Sequence, residues 1–266
     1  MKLDNNRITL IEPRSFTNLP LLKTLDLSKN AIGVILKDTF RFLHYADRIL
    51  LSNNRLTMIK KDMFTGIGGT VEWKVRLGGK HTTCQRGVAV LDMLDLSSNL
   101  IGLEVNGKKN VGIEDEAFHH VGEINTLDLS RNRIPVFSAK AFNSKYMHII
   151  GDTGIQIKRR LDLSCNAIAA VEGTIDGAMQ SLPTLDLRNN QLTEINPLLF
   201  EHGDALHTLS LGANKICFRT GPRARTCVCV CGAFVPARAR HPPVLRAVSC
   251  LDAKDTTVHP SKRGRT

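Results

Sequence analysis

The sequence predicts an α/β solenoid, a stack of short repeated units that each give one strand to a single parallel sheet. Three observations carry that expectation. A phrase of the form L-x-L-x-x-N-x-(I/L) recurs through residues 1–216, the asparagines that mark it fall at a fixed interval, and further apolar positions keep phase with them. The phrase reads LDLSKNAI from Leu25, ILLSNNRL from Ile49, LDLSSNLI from Leu94 and LDLSRNRI from Leu127. It continues as LDLSCNAI from Leu161, LDLRNNQL from Leu185 and LSLGANKI from Leu209, and a shortened copy, LDNNRI, begins at Leu3. The asparagines are Asn6, Asn30, Asn54, Asn99, Asn132, Asn166, Asn190 and Asn214, spaced by 24, 24, 45, 33, 34, 24 and 24 residues. Self-similarity at such a period is the signature of a repeat architecture.

Each element follows from the phase. Leucines five and three places before the asparagine alternate with Asp and Ser, which is the period of a strand buried on one side. Five places after the asparagine stands Ile11, Ile35, Ile59, Phe137, Val171 or Ile195, and ten places after it Phe16, Phe40, Phe64, Phe142 or Phe200. In the repeat of Asn99 the matching Ile113 and Phe118 arrive nine residues late, which puts an insertion between Asn99 and Ile113. Asp176 interrupts the phenylalanine column. Stacking such units sets the strands side by side, so that each buries its leucines against its neighbours.

Removing residues 68–88, 103–111 and 151–160 restores an interval of 24 throughout. The removed segments are rich in Gly, Lys and Arg and share nothing with the repeat. Two readings stand side by side: loops projecting from the solenoid, where insertions often gather on a binding face, or translated non-coding sequence. The second weighs more for 68–88, which holds the chain's single Trp.

Over residues 1–216 this pattern resembles the leucine-rich repeat family, in particular the 24-residue type of Toll-like receptor and chaoptin-like ectodomains. The resemblance implies a horseshoe with its parallel sheet on the concave face and irregular or short helical segments on the convex one. It also implies that the asparagines form an internal ladder, bonded to the backbone where the chain leaves each strand. That expectation is physically sound, because a buried turn must satisfy its N–H and C=O groups. The phenylalanines would fill the wider convex side.

The chain's net charge of +11 is unevenly placed. Residues 1–216 carry 26 basic and 23 acidic side chains, a net of +3, whereas 217–266 carry 10 and 2, a net of +8. Five of the seven cysteines, at 217, 227, 229, 231 and 250, also lie after 216. This second region reads as a disordered basic tail rich in Cys, Pro and Arg. Its C-x-C-x-C run lacks the two-residue spacing of a structural zinc site, so no metal is expected. A solvated run of charge is the expectation for its basic residues, with nucleic-acid binding as the rival. The repeat is already under way at Met1 and stops after Ile216 without the family's cysteine-bearing caps. The expectation is a fragment of a longer ectodomain, with membrane association only through a segment outside this chain. No stretch approaches ~18 apolar residues, and MKLDNNRITL does not read as a secretory signal.

No nucleophile elbow, P-loop, dinucleotide fingerprint or H-E-x-x-H motif occurs, and the adjacent His119 and His120 read as a solvated turn. The expectation is a non-enzyme with no cofactor and no small-molecule substrate. The strand face opposite the leucines is the candidate binding surface. Four places before the asparagine it carries an aspartate column, Asp26, Asp95, Asp128, Asp162 and Asp186, with Ser two places later in most repeats. More individual are the positions six before, with Thr24, Arg48, Met93, Thr126 and Arg160, and one before, with Lys29, Asn53, Ser98, Arg131, Cys165 and Asn189. Arg48, Met93, Asp95, Asp128, Asp162, Arg131 and Asn189 are the candidate ligand-binding residues. The resemblance implies protein–protein recognition in adhesion or receptor signalling, extracellular or at the cell surface. An intracellular scaffold is the alternative within binding proteins; the absence of any N-x-S/T sequon counts slightly against the outside.

Overall fold

The computed structural model describes the chain except residues 18, 20, 42, 44, 66, 68, 78–79, 105–106, 108–109, 119–120, 143–154, 174–180, 196–204, 217, 222–223, 227–232 and 235–266. For 69–77, 80–89 and the described residues after 217 only the backbone is considered. The Asp176 position, Phe200, the paired histidines and the C-x-C-x-C cysteines therefore lie outside the described residues.

Every complete phrase becomes a strand. In chain order these are β1 (Thr24–Asp26), β2 (Arg48–Leu50), β3 (Gly69–Leu77), β4 (Lys80–Asp95), β5 (Glu123–Asp128), β6 (Val136–Ser138), β7 (Gln156–Asp162), β8 (Ala170–Glu172), β9 (Thr184–Asp186) and β10 (Thr208–Ser210). After residue 217 follow β11 (Phe218–Gly221), β12 (Ala224–Thr226) and β13 (Ala233–Phe234). The main sheet runs β1-β2-β4-β5-β7-β9-β10 in parallel, with β13 added antiparallel to β10. Its register joins the same phase position across all seven strands: Leu25, Ile49, Leu94, Leu127, Leu161, Leu185 and Leu209 stand in one row. The row is buried, as is the second row two residues on, from Leu27 to Leu211.

On the far side of the core the phenylalanines stack. Phe16, Phe40, Phe64, Phe118 and Phe142 follow one another with ring centroids 6.2, 6.4, 5.6 and 5.2 Å apart and planes within 13° of parallel. Phe118 takes its place between Phe64 and Phe142 in spite of the preceding insertion. Among the described residues the helical content of this side is one 3-10 turn, Ala139–Phe142.

The insertions attach to the solenoid in different ways. Residues 69–77 pair antiparallel with the first part of β4, so the segment around 68–88 is a hairpin whose second arm runs on into the repeat strand. In the 151–160 segment, β7 lengthens backwards so that Ile157 pairs with Ile124 and is buried. The 103–111 segment leaves at Gly102 and returns at Gly112, both with positive φ. A Cβ on Gly102 would lie 2.4 Å from the Arg133 carbonyl oxygen, so the backbones meet there too closely for any other residue.

What fastens one turn to the next is the asparagine. The Asn132 side-chain amide donates to the Leu129 carbonyl of its own strand at 3.0 Å and to the Leu96 carbonyl of the preceding repeat at 3.0 Å. Its Oδ1 accepts from the Ile101 N–H at 3.1 Å. Asn30, Asn54, Asn99, Asn166, Asn190 and Asn214 repeat this three-way pattern. Asn6 donates to Leu3 and Asp4 within its own repeat.

Asn132→Ala leaves the buried Ile101 N–H without its acceptor, at about 1–3 kcal/mol, and takes one of two amide donors from the Leu129 and Leu96 carbonyls, which keep Asn166 and Asn99. Urea unfolding should show a loss of roughly 2 kcal/mol, and Asn132→Asp, which cannot donate to the two carbonyls, should not fully restore it. Phe64→Ala should cost about 3–5 kcal/mol by opening a cavity between Phe40 and Phe118, measured the same way.

Candidate functional site

The concave face of the sheet presents two rows. One holds Thr24, Arg48, Met93, Thr126, Arg160, Thr184 and Thr208; the other holds Asp26, Leu50, Asp95, Asp128, Asp162, Asp186 and Ser210. Parallel neighbours lie about 4.8 Å apart, so the aspartates of β4, β5, β7 and β9 form an unbroken acidic line. Five of the seven candidate residues, Arg48, Met93, Asp95, Asp128 and Asp162, share this surface. Arg131 and Asn189 stand three residues past the strand ends.

Each aspartate has a local task that the spacing did not disclose. Its Oδ1 accepts the backbone N–H two residues on, at 3.1 Å for Asp26, 3.0 Å for Asp95, 2.9 Å for Asp128, 3.0 Å for Asp162 and 3.1 Å for Asp186. The serines answer the same carboxylates: Ser28 and Ser97 hydroxyls donate at 2.7 Å. Ser130 and Ser164 bond Asp128 and Asp162 through their side chains as well, and Ser52, Ser130 and Ser164 are buried. The residue before each asparagine is left-handed. From Asn5 through Arg131 and Asn189 to Ala213, φ lies between 53° and 57° in all eight repeats. Asn tolerates this region better than most residues, which accounts for Asn5, Asn53 and Asn189; Arg131 holds it against a steric cost.

Electrostatically the line divides in two. At the β7–β9 end, Arg160 reaches Asp162 and Asp186 at 2.7 Å each, and Arg188 closes on Asp186 at 2.7 Å. Burial pushes the Asp162 carboxyl up, but hydrogen bonds from Ser164 and Arg160 and the charge of Arg160 outweigh it and hold the group below its ordinary value. At the β4–β5 end, neither Asp95 nor Asp128 has a basic partner among the described residues. Burial pushes the Asp128 carboxyl up; Ser130 opposes the rise, and the charges of Asp162 and Asp95 add to it. Arg48, exposed beside Met93, directs its guanidinium to the Met93 sulfur at 3.6 Å. Sequence reasoning missed the Arg160–Asp186–Arg188 cluster. Its signal was present in Arg188, which breaks the serine position. Among the described residues no group of three or more His, Cys, Asp or Glu side chains could hold a metal ion.

This surface and the ladder behind it define a class of protein. Residues 1–56 and 159–216 match the family model described as Leucine rich repeat. Over those residues the chain is similar to the leucine-rich repeat family. It is 27% identical over 216 residues to Tsukushi of Gallus gallus, covering 80% of this chain and 47% of that protein. It is 28% identical over 172 residues to human Leucine-rich repeats and immunoglobulin-like domains protein 3, covering 64% of this chain and 13% of that one. The chain thus spans under half the length of either relative. Among solved structures, the TLR13–ssRNA13 complex superposes with a TM-score of 0.59 at 24% identity, over 82% of this chain and 26% of that one, a likeness of fold.

The two halves of the acidic line should respond oppositely to acid. A carboxyl with a lowered folded pKa stabilises above its unfolded value of about 3.9 and loses that contribution as pH falls through the folded pKa. Asp162→Asn should therefore destabilise near neutrality, by an amount that shrinks on acidification. A carboxyl with a raised folded pKa costs stability as pH rises from about 4 through that pKa. Asp128→Asn keeps the acceptor for Ser130 and should raise the melting temperature near neutrality but not in acid. Melting curves of both variants against pH check the signs.

Proposed function

We propose that this chain is a non-catalytic recognition module that binds another protein on its concave sheet. Asp128 carries the reading. A half-buried carboxylate without a basic partner among the described residues, between two others of like charge, costs stability that a pairing two strands away shows how to avoid. Such a cost is explained when a partner supplies the cation. The exposed Arg48, Met93 beside it and the Asp95–Asp128 pair form a graded surface on which charge sets orientation and register. Arg131 and Asn189 extend it beyond the strand ends.

By resemblance we place the module outside the cell or at its surface, in adhesion or receptor signalling. Among the described residues no helix is long and apolar enough to cross a membrane. TLR13 holds a single-stranded RNA in its complex, but two unneutralised aspartates at the centre of this concave face repel a polyanion. A protein ligand is favoured over nucleic acid for that reason.

The test is to isolate the partner with the full chain and compare Asp95→Asn/Asp128→Asn with the native protein. The expected outcome is a variant at least as stable as the native chain with roughly tenfold or greater loss of affinity, and a similar loss for Arg48→Glu. Partner binding that survives both changes would refute the concave site.

A further inference from the structure

A second surface lies on the flank, away from the concave sheet. The residue four places after each asparagine is Leu10, Val34, Met58, Gly112 and Val136 in the first five repeats, with the insertion allowed for. Its neighbour one place on points into the core: Ile11, Ile35, Ile59, Ile113 and Phe137 are buried. Leu10 and Val34 are 50% and 40% exposed, Met58 and Val136 are half-buried, and Gly112 is buried. Ile59 bridges to Ile113 and Val136 pairs with Ala170, so successive positions lie on adjacent turns. A partly exposed apolar row beside an open cleft is a surface on which a partner can bury apolar side chains.

Where this row passes Ile113, a cleft of about 410 Å³ opens. It lies between Ile113–Asp115 and Val136–Ser138, which no backbone hydrogen bond joins. Its apolar walls are Ile113, Val136 and Val111, the last 56% exposed. Its rim sets Glu114, Asp115 and Glu172 against one cation among the described residues, Lys140. Glu114 also accepts the Lys61 N–H at 2.9 Å, which spends one lone pair and leaves its charge in place. Apolar walls below an acidic rim match a side chain with an apolar stem and a cationic head.

We infer that this flank is a docking surface, separate from the concave face, for a partner-protein segment that sets a lysine or arginine among apolar side chains. The cationic head meets the rim of the cleft, the stem lies on Ile113 and Val136, and the adjoining apolar residues follow the row towards Val34. The charge balance of the rim selects this occupant over a second copy of the chain, which would have to bring a cation of its own to the same place.

The probe is the peptide acetyl-Val-Leu-Arg-Leu-amide, with its Arg→Glu counterpart, added to the full 266-residue chain and followed by methyl NMR. The arginine peptide is expected to shift the Val111, Ile113 and Val136 methyls saturably, more weakly at high salt, while the glutamate peptide does not. Asp115→Lys/Glu172→Lys and, separately, Val111→Ser should each weaken binding about tenfold with unchanged melting temperature. Asp95→Asn/Asp128→Asn should leave it unaltered, which separates this surface from the concave one. Equal response to both peptides, no response, or shifts confined to the concave face would overturn the inference. So would a concentration-dependent dimer in sedimentation that Val111→Ser abolishes, which would assign the flank to self-association.

Discussion

A side-chain amide replaces a missing partner at every turn of this solenoid. Where the chain leaves a strand and bends, its carbonyls can no longer pair with the next strand, and burial forbids water. One asparagine per repeat supplies two donors and one acceptor, and it spends them on its own strand, the strand before and the descending segment of the previous repeat. No other short side chain offers both functions at that length. The leucine rows and the phenylalanine stack add the free energy of burial, but the asparagines hold the turns at one spacing. Register therefore carries unbroken from Thr24 to Ser210.

The ladder also explains where irregularity is tolerated. A segment can be added wherever it does not separate an asparagine from its three partners. The hairpin of β3 and β4 joins before the strand phrase, the extension of β7 lengthens the strand backwards, and the 103–111 loop is pinched between two glycines. Phe118 keeps its place in the aromatic stack because the loop closes upon itself. The cost of the tight turn is visible one residue before each asparagine. Eight different backbones adopt the left-handed region there, with side chains as unlike as Arg131, Cys165 and Ala213.

On the concave face, structural and functional demands fall on the same atoms. Every aspartate of the line uses one oxygen to cap its own turn, so its presence by itself says little about a ligand. The difference between strands is more informative. Two of the carboxylates are neutralised by Arg160 and Arg188, while Asp95 and Asp128 have no counter-ion among the described residues. The flank shows a parallel contrast, since Ile113 is buried while Val111 nearby stands open to solvent.

Most of the scaffold was legible from residue order. The phase of leucine, asparagine and phenylalanine is a local pattern that repeats, and a repeating pattern has one way to bury all its copies together. It placed the strands, their parallel register and even Phe118 after its displaced interval, while the internal asparagines followed from the family resemblance. The partners of each charge were decided by tertiary structure. Arg160 and Asp186 are 26 residues apart and meet only because β7 lies beside β9. Val111 and Glu172 come to one cleft because successive turns stack. The left-handed residue before each asparagine and the capping role of each aspartate likewise depend on how the turn closes. Sequence periodicity reports which side chains go inside; which of those outside find a partner depends on distances that exist only after the turns are stacked.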